Sequence, residues 1–287
     1  MKDLNISIAP PIVKCKVCSA DTIPHLLNLA DEVSRSMKFD IYYCKSCNTY
    51  IRNPQQYEIE KYLDNRGYTQ LINEQSIKVK RNDFFNYIID ITCKYIIPST
   101  WLDFGCAYGH FIEKIQGLSI QADGVEIYKQ TRDCCQKKGL HVFASMNEIT
   151  ADQHYNVISA IDSFYYVSDP LPTLKAFHSH LTDNGILILR IANRNWLIKL
   201  FKLLNIQSSN GGMADAFISY STNSVKKLLQ AGGFNILTIS YAEKGKHHSL
   251  FLYAFYKFTH ILSMLTLYKW PITPGIIIVA QKNTGTS

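Results

Sequence analysis

The stretch Trp101-Leu102-Asp103-Phe104-Gly105-Cys106-Ala107-Tyr108-Gly109-His110-Phe111 decides the fold of this 287-residue chain. Its first four residues are mostly apolar and include an acid, which predicts a short buried strand over 101–104. The two glycines then allow a tight turn in which the backbone can come close to a ligand. A helix is predicted over 110–116. Strand, glycine turn and helix in this order are typical of an open α/β sheet.

The chain after residue 99 alternates between strand and helix patterns, which predicts a doubly wound sheet. A late pair of strands, 235–241 and 275–281, completes a sheet of seven, an ending that a plain dinucleotide-binding domain does not usually have. The remaining predicted strands are 121–127, 140–144, 155–160 and 185–191, and the remaining predicted helices are 129–138, 171–181 and 224–231.

The order Asp103-x-Gly105-x-Ala107-x-Gly109 resembles motif I of class I S-adenosylmethionine-dependent methyltransferases, with Ala107 in place of the usual middle glycine. This resemblance implies a Rossmann-like, seven-stranded α/β fold. It also implies that the turn lies beneath the methionine part of the cofactor and that the acid anchors the turn. The cofactor-binding residues expected here are Asp103, Gly105, Cys106, Ala107 and Gly109.

Glu126 follows Asp103 by 23 residues and ends the second predicted strand. A carboxylate at this place accepts hydrogen bonds from both ribose hydroxyls, because each of its oxygens has lone pairs for one of them. The family resemblance further places Ile127 against the adenine face and Met146 near the adenine edge. It adds Asp162, which follows the fourth strand, to the cofactor site.

The segment Asp162-Ser-Phe-Tyr-Tyr-Val-Ser-Asp-Pro170 resembles the D-x-x-E-H-x-x-D-P segment of small-molecule methyltransferases, including those of glycan pathways. Tyr165 and Tyr166 replace the Glu-His pair, whose imidazole is a plausible general base in relatives. A phenol is a weak base at neutral pH because its ordinary pKa is about 10. The two tyrosines are therefore candidate catalytic residues that orient the acceptor or shield the sulfonium methyl group.

Two C-x-x-C pairs precede the sheet, Cys15/Cys18 and Cys44/Cys47. Two pairs of this kind can present four thiolates to one tetrahedral Zn²⁺ ion. So small a module cannot bury enough apolar surface to fold alone and needs such a metal site. Four thiolates leave no ligand position for water, so the predicted zinc is structural. Residues 1–52 are therefore predicted to be a zinc ribbon.

Residues 53–97 are predicted to form a helical bridge and residues 98–287 the methyltransferase domain. The bridge contains a possible helix over 57–68 and an amphipathic helix with apolar residues from Phe84 to Tyr95, which ends before Pro98. The resemblance extends over the ribbon, the bridge and the sheet.

An apolar, aromatic segment over 249–270 interrupts the end of the domain as part of a helical insertion at about 247–270. Lys257 and His260 argue against a membrane-spanning helix. Such a helix would also separate the final strand from the rest of its sheet. Two alternatives remain: a helix packed over the substrate mouth or on the ribbon, and an interfacial helix at the inner face of the membrane.

The composition, 47% hydrophobic and 18% charged, supplies enough apolar residues for a sizeable core. The first eleven residues lack the apolar run of a signal peptide, so a cytoplasmic location is expected. The net charge is +7, but the basic residues are dispersed, which disfavours a nucleic-acid partner. They occur as short pairs: Lys14/Lys16, Lys80/Arg81, Lys137/Lys138 and Lys226/Lys227.

The leading hypothesis is an S-adenosylmethionine-dependent methyltransferase that acts on a small molecule, a sugar or glycan precursor. An RNA methyltransferase is the first alternative, since some carry a zinc module before the same fold. It is disfavoured because neither an Asn/Asp-Pro-Pro-aromatic motif nor a Pro-Cys pair follows the fourth strand. A non-catalytic scaffold that kept the fold is the second alternative, motivated by Ala107 and the Tyr165-Tyr166 pair.

Overall fold

The computed structural model describes residues 12–30, 38–53, 74–206, 212–213, 216–241, 250–266, 273 and 275–284. The strands are β1 (Ile23–Ala30), β2 (Lys38–Cys44), β3 (Thr49–Asn53), β4 (Thr100–Phe104), β5 (Gln121–Val125), β6 (Val142–Phe143), β7 (Tyr155–Ile161), β8 (Leu181–Ala192), β9 (Ile218–Ser219), β10 (Phe234–Ser240) and β11 (Gly275–Lys282). The helices are α1 (Glu74–Thr92), α2 (His110–Gln116), α3 (Lys129–Lys137), α4 (Pro170–His180), α5 (Asn195–Leu203), α6 (Thr222–Ala231) and α7 (Leu250–Leu265). Two 3₁₀ turns cover Met146–Glu148 and Phe164–Tyr166.

Seven strands form the main sheet in the order β10-β11-β8-β7-β4-β5-β6. β4 to β8 run parallel, whereas β11 lies antiparallel between β8 and β10. This mixed order confirms the predicted Rossmann-like α/β class with its late antiparallel pair. The parallel strands all end at one edge of the sheet, where open α/β folds bind ligands.

Apolar layers cover both faces of this sheet because neighbouring residues of each buried strand point to opposite faces. On one face, Ile158 of β7 packs with Leu174 and Phe177 of α4 and Leu228 of α6. On the other face, residues of β7 and β8 pack with Ile88 of α1 and with Phe111, Ile112 and Ile115 of α2. The helices thus pack on both faces of the sheet and fix the position of its carboxyl edge.

A second, four-stranded sheet contains the cysteine pairs and has the order β1-β2-β3-β9. Its first three strands belong to the N-terminal module, but β9 comes from the main domain and pairs antiparallel with β3 through Tyr50–Ser219 and Ile51–Ile218. Ile198 of α5 and Met213 complete the apolar cluster beneath this sheet. The N-terminal module is therefore joined to the main domain by backbone pairing as well as by side chains.

Several elements differ from the sequence predictions. β1 was not predicted, because its register against β2 is irregular and it exposes Ile23 and Leu27. β8 begins at Leu181, earlier than the predicted 185. Helix α5, which begins at Asn195, is not among the predicted helices. The predicted helix over 57–68 lies outside the described residues.

Helix α7 lies within the predicted insertion, and His260 on it lines a cavity together with residues of α1 and β10. Among the described residues, none of the helices combines the length and the hydropathy needed to cross a membrane.

Candidate functional site

The glycine turn between β4 and α2 has a left-handed backbone at three positions, Gly105 (φ 77°), Ala107 (φ 50°) and Gly109 (φ 75°). A Cβ atom at Gly105 would lie 2.3 Å from Cβ of Ser163, and one at Gly109 would lie 2.4 Å from Cδ1 of Leu140. Both glycines are therefore required for packing as well as for conformation. The turn lies directly against the segment that follows β7.

The Glu126 carboxylate connects the end of β5 to this turn. Its Oε2 accepts a hydrogen bond from the Ala107 N–H at 2.8 Å, and its Oε1 accepts one from the Tyr128 N–H at 2.8 Å. The residue is 5% exposed, and burial raises its pKa while the two backbone hydrogen bonds oppose the rise. Each oxygen keeps capacity for a further donor, so the geometry suits a vicinal diol.

Asp103 is buried below the turn rather than open to it. Its Oδ1 accepts a hydrogen bond of 2.6 Å from the Ser159 hydroxyl, which itself accepts one from the Trp101 indole N–H at 2.9 Å. Burial raises the pKa of Asp103 to about 7; the Ser159 hydrogen bond opposes this rise and the charge of Glu126 adds to it. These contacts link β4 to β7 beneath the turn.

Asp162 directly follows β7 in a left-handed conformation (φ 58°) and forms ion pairs with two guanidinium groups. Arg81 of α1 contacts it at 2.7 Å, and Arg190 of β8 forms a second ion pair with it. Burial alone would raise the pKa of Asp162, but the two arginines outweigh burial and lower it. The sequence prediction included Asp162 but missed both arginines.

The other predicted cofactor residues surround the same turn in different ways. Ile127 is 47% exposed just beyond β5, so its side chain is accessible to a flat apolar ligand. Met146 is buried in the 3₁₀ turn after β6. Cys106 is buried with its Sγ toward Gly124, where an added Cβ would lie 2.6 Å from that sulfur. Only the backbone of Cys106 therefore faces the ligand side of the turn.

Tyr165 and Tyr166 form the 3₁₀ turn after Asp162, with their ring centroids 4.7 Å apart. The Tyr165 side chain is buried, and its carbonyl accepts a hydrogen bond from the Phe217 N–H at 3.0 Å. Tyr166 is half-buried and packs edge-on against Phe217 at 6.0 Å between centroids. Both tyrosines thus lie at the carboxyl edge and are held in place by the segment that leads into β9.

The four predicted metal ligands, Cys15, Cys18, Cys44 and Cys47, come together, with all four Sγ atoms within 4.8 Å of one another. The Cys15–Cys47 and Cys18–Cys44 sulfur distances are both 3.5 Å, longer than a disulfide bond of about 2 Å. Thiolates around tetrahedral Zn²⁺ at about 2.3 Å lie about 3.8 Å apart. The donor set and its spacing fit zinc.

The two cysteine pairs have the same backbone geometry. The residue after each pair, Ser19 or Asn48, is left-handed (φ 58° and 59°). Its N–H donates to the carbonyl of the first cysteine of its own pair, at 2.9 Å in both cases. The hydrogen bond between the Cys15 and Cys47 thiols lowers the pKa of Cys15 to about 5 and raises the pKa of Cys47.

The second cysteine pair is also bound to the main domain. The Ser221 hydroxyl donates to the Cys47 carbonyl at 2.8 Å, and the Asn195 amide donates to the Asn48 carbonyl at 2.7 Å. The first pair contributes an ion pair of 2.9 Å between Lys16 and Asp169. The cysteine cluster therefore packs beside the segment that carries Tyr165 and Tyr166, a placement that the sequence did not reveal.

The chain is similar to known methyltransferases. A family model described as a methyltransferase domain matches residues 83–239, more than half of the chain. A comparison with curated proteins gave no match.

Solved structures share the fold. A S-adenosylmethionine-dependent methyltransferase from Clostridium acetobutylicum is 13% identical with a TM-score of 0.51, over 78% of this chain and 99% of that chain. The plantazolicin methyltransferase BpumL, in complex with a monoazolic desmethylPZN analog and SAH, is 18% identical with a TM-score of 0.51, over 78% and 91%.

A third similar structure is a complex between the Haloferax volcanii Trm112 methyltransferase activator and a methyltransferase, with 10% identity and a TM-score of 0.56 over 80% of this chain and 100% of that chain. At such identities these structures show the fold, and the family match shows the membership. The chain therefore belongs to the methyltransferase-domain family.

Proposed function

We propose that this chain transfers a methyl group from S-adenosylmethionine to a small-molecule acceptor at the carboxyl edge of the main sheet. The observation that carries the proposal is the Glu126 carboxylate, buried at the end of β5 and bonded to the Ala107 N–H of the glycine turn. Its remaining lone pairs suit the two ribose hydroxyls of the cofactor.

The residues around the turn fit the rest of the cofactor. Backbone of Gly105, Cys106 and Gly109 would approach the methionine part, and Ile127 and Met146 would contact the adenine. Arg81 has a side chain that is 39% exposed beside Asp162, so its guanidinium is available to the cofactor carboxylate. When bound, the cofactor supplies an activated sulfonium methyl group, and alignment of the acceptor then provides much of the rate.

The proposed part of Tyr165 and Tyr166 is to orient the acceptor. Their rings pack together after Asp162, and Phe217 supports them from the segment that enters β9. Aromatic faces of this kind favour a cationic sulfonium and exclude water from it. Neither residue needs to remove a proton in this scheme.

A sugar or glycan precursor remains the first acceptor class to test, on the resemblance of residues 162–170 to small-molecule methyltransferases. The fold relative BpumL, solved with a desmethylPZN analog, supports a small acceptor in general. An RNA acceptor and a non-catalytic scaffold are the competing outcomes of the experiment below.

We further propose that Cys15, Cys18, Cys44 and Cys47 bind one structural Zn²⁺ ion. Three of the four thiols are buried, and together they complete a tetrahedral set without a position for water. The main domain contacts both cysteine pairs, so the ion would stabilise the part of the N-terminal module that packs beside the segment with Tyr165.

The cofactor site is tested by calorimetric titration of the purified protein with S-adenosylmethionine and S-adenosylhomocysteine. Glu126→Gln keeps the size of the side chain but removes its charge, and we expect it to weaken binding at least about tenfold through loss of charge-assisted hydrogen bonds. Asp183→Asn, at a side chain that is 88% exposed, is the matched control and should bind as the wild type does.

Binding that is lost in Glu126→Gln alone would justify screening nucleotide sugars, other small molecules and RNA as acceptors. Folded wild-type protein that binds neither compound would overturn the proposal. Cofactor binding without transfer to any acceptor would favour the scaffold.

A further inference from the structure

In the described part of helix α7, large apolar side chains are exposed and polar side chains are buried, the reverse of the usual arrangement. Four of its large apolar residues are exposed, Phe258 (59%), Ile261 (55%), Met264 (53%) and Leu265 (76%), while Leu262 is half-buried. Its buried residues, Thr259 (3%) and Ser263 (0%), are polar. Positions 258, 261 and 265 follow helical spacing and share one face, with Thr259 and Ser263 on the opposite face.

The buried polar face forms hydrogen bonds along the helix. The Ser263 hydroxyl donates to the Thr259 carbonyl at 2.7 Å, and the Thr266 hydroxyl donates to the Ser263 carbonyl at 3.0 Å. His260, next to them, lines a cavity of about 370 Å³ with residues of α1 and β10. The helix thus turns its Thr259 and Ser263 side toward the domain and its apolar stripe outward.

Charge indicates what covers this stripe. The sequence from residue 244 to residue 272 contains no Asp or Glu but has lysines at 244, 246, 257 and 269. Lys257 is exposed directly beside Phe258. A second copy of this face, brought against it by a two-fold axis, would place lysine near lysine. An anionic lipid surface accepts the apolar side chains and attracts the lysines.

We propose that α7 lies flat on anionic lipid bilayers, with Phe258, Ile261 and Leu265 inserted at the level of the head groups and Lys257 among the lipid phosphates. Sixteen residues of helix span about 24 Å, less than the hydrocarbon core of about 30 Å. The contact is thus interfacial. It goes beyond the methyl-transfer proposal and does not depend on it.

The test is flotation of the full-length protein with vesicles of phosphatidylcholine alone or mixed with phosphatidylglycerol. We expect binding to the anionic vesicles only, weakened by salt. The triple variant Phe258→Ser, Ile261→Ser, Leu265→Ser should lose at least about tenfold in binding, because three inserted apolar side chains are removed. The control Leu203→Ser, Leu204→Ser changes the last residue of α5 and the residue after it, which are 81% and 58% exposed, and should bind like the wild type.

Circular dichroism and thermal melting of the triple variant verify that it is folded, and cofactor titration reports on the methyltransferase site separately. Wild-type protein that ignores anionic vesicles overturns the proposal, as does equal binding by the triple variant. Sedimentation velocity adds a further arm: a wild-type dimer that the triple variant converts to monomers would show that a second copy covers the stripe instead of lipid.

Discussion

Ala107 holds a backbone conformation that glycine adopts more readily. Its φ of 50° is left-handed, and its N–H must point to Glu126 at 2.8 Å. A Cβ atom in this region costs about 1 kcal/mol. We therefore expect Ala107→Gly to raise the free energy of unfolding by up to about 1 kcal/mol, measured by urea denaturation, without loss of cofactor binding.

Ala122→Gly, in the middle of the buried strand β5, is the matched control for Ala107→Gly and should lower the stability by about 1 kcal/mol. If both variants are destabilised alike, the left-handed conformation at Ala107 does not cost the protein free energy.

At the residue scale, sequence motifs singled out Glu126 and the four cysteines because each has a distinctive chemistry at a fixed spacing. The structure places Glu126 against the glycine turn and brings the four sulfurs together. Arg81 and Arg190 were missed, although they bind Asp162 from α1 and β8. Arg190 left a signal in the sequence, as a single charge within the apolar run of β8. Its partner follows a different strand, and only the sheet order brings the two together.

Strand β9 is the element that sequence reasoning had least chance to find. It has two residues, too few for a periodic pattern. It is a strand only because its backbone pairs with the edge of β3. The helix over 110–116, by contrast, was predicted with the bounds that the structure has. Its signal was local: a glycine turn followed by apolar residues at helical spacing.

Asn195 links these elements, and its replacement tests their coupling. Its amide donates to the Asn48 carbonyl at 2.7 Å, and its Oδ1 accepts from the Ser219 hydroxyl at 2.7 Å. Asn195→Ala leaves the buried Ser219 hydroxyl and the partly buried Asn48 carbonyl without this partner, so we expect a loss of about 1–3 kcal/mol in the free energy of unfolding. Hydrogen exchange should accelerate in β3 and β9 and in the segment from 216 to 221.

The control for Asn195→Ala is Asn235→Ala, at an exposed position of β10. It should leave exchange in β3 and β9 unchanged. Uniform acceleration across both sheets in Asn195→Ala would show a general loss of stability and would argue against a local coupling.

At the scale of the whole molecule, the two sheets differ in what stabilises them. The main sheet is buried between two apolar layers. The four-stranded sheet has only small apolar clusters, one around Ile41 and one around the cysteines. We expect purified protein to contain one Zn²⁺ ion per chain by elemental analysis. Chelation should then abolish exchange protection in β1, β2, β3 and β9 while β4, β7 and β8 stay protected.

Cys18→Ser should behave like chelated protein, whereas Cys93→Ser, at an exposed thiol outside the cluster, should behave like the wild type. Metal-free protein with a fully protected ribbon would contradict the zinc assignment. Loss of protection in both sheets together would show that the ion stabilises the entire fold.

The pairing of β3 with β9 also has a consequence during synthesis on the ribosome. Ile51 and Ile218 are neighbours in space, but most of the chain is made between them. Both cysteine pairs lie before residue 48, so metal capture needs only the earliest part of the nascent chain. If β1, β2 and β3 fold early, the edge of β3 stays unpaired until β9 has been synthesised. During that interval chaperones or a neighbouring chain can bind to this edge.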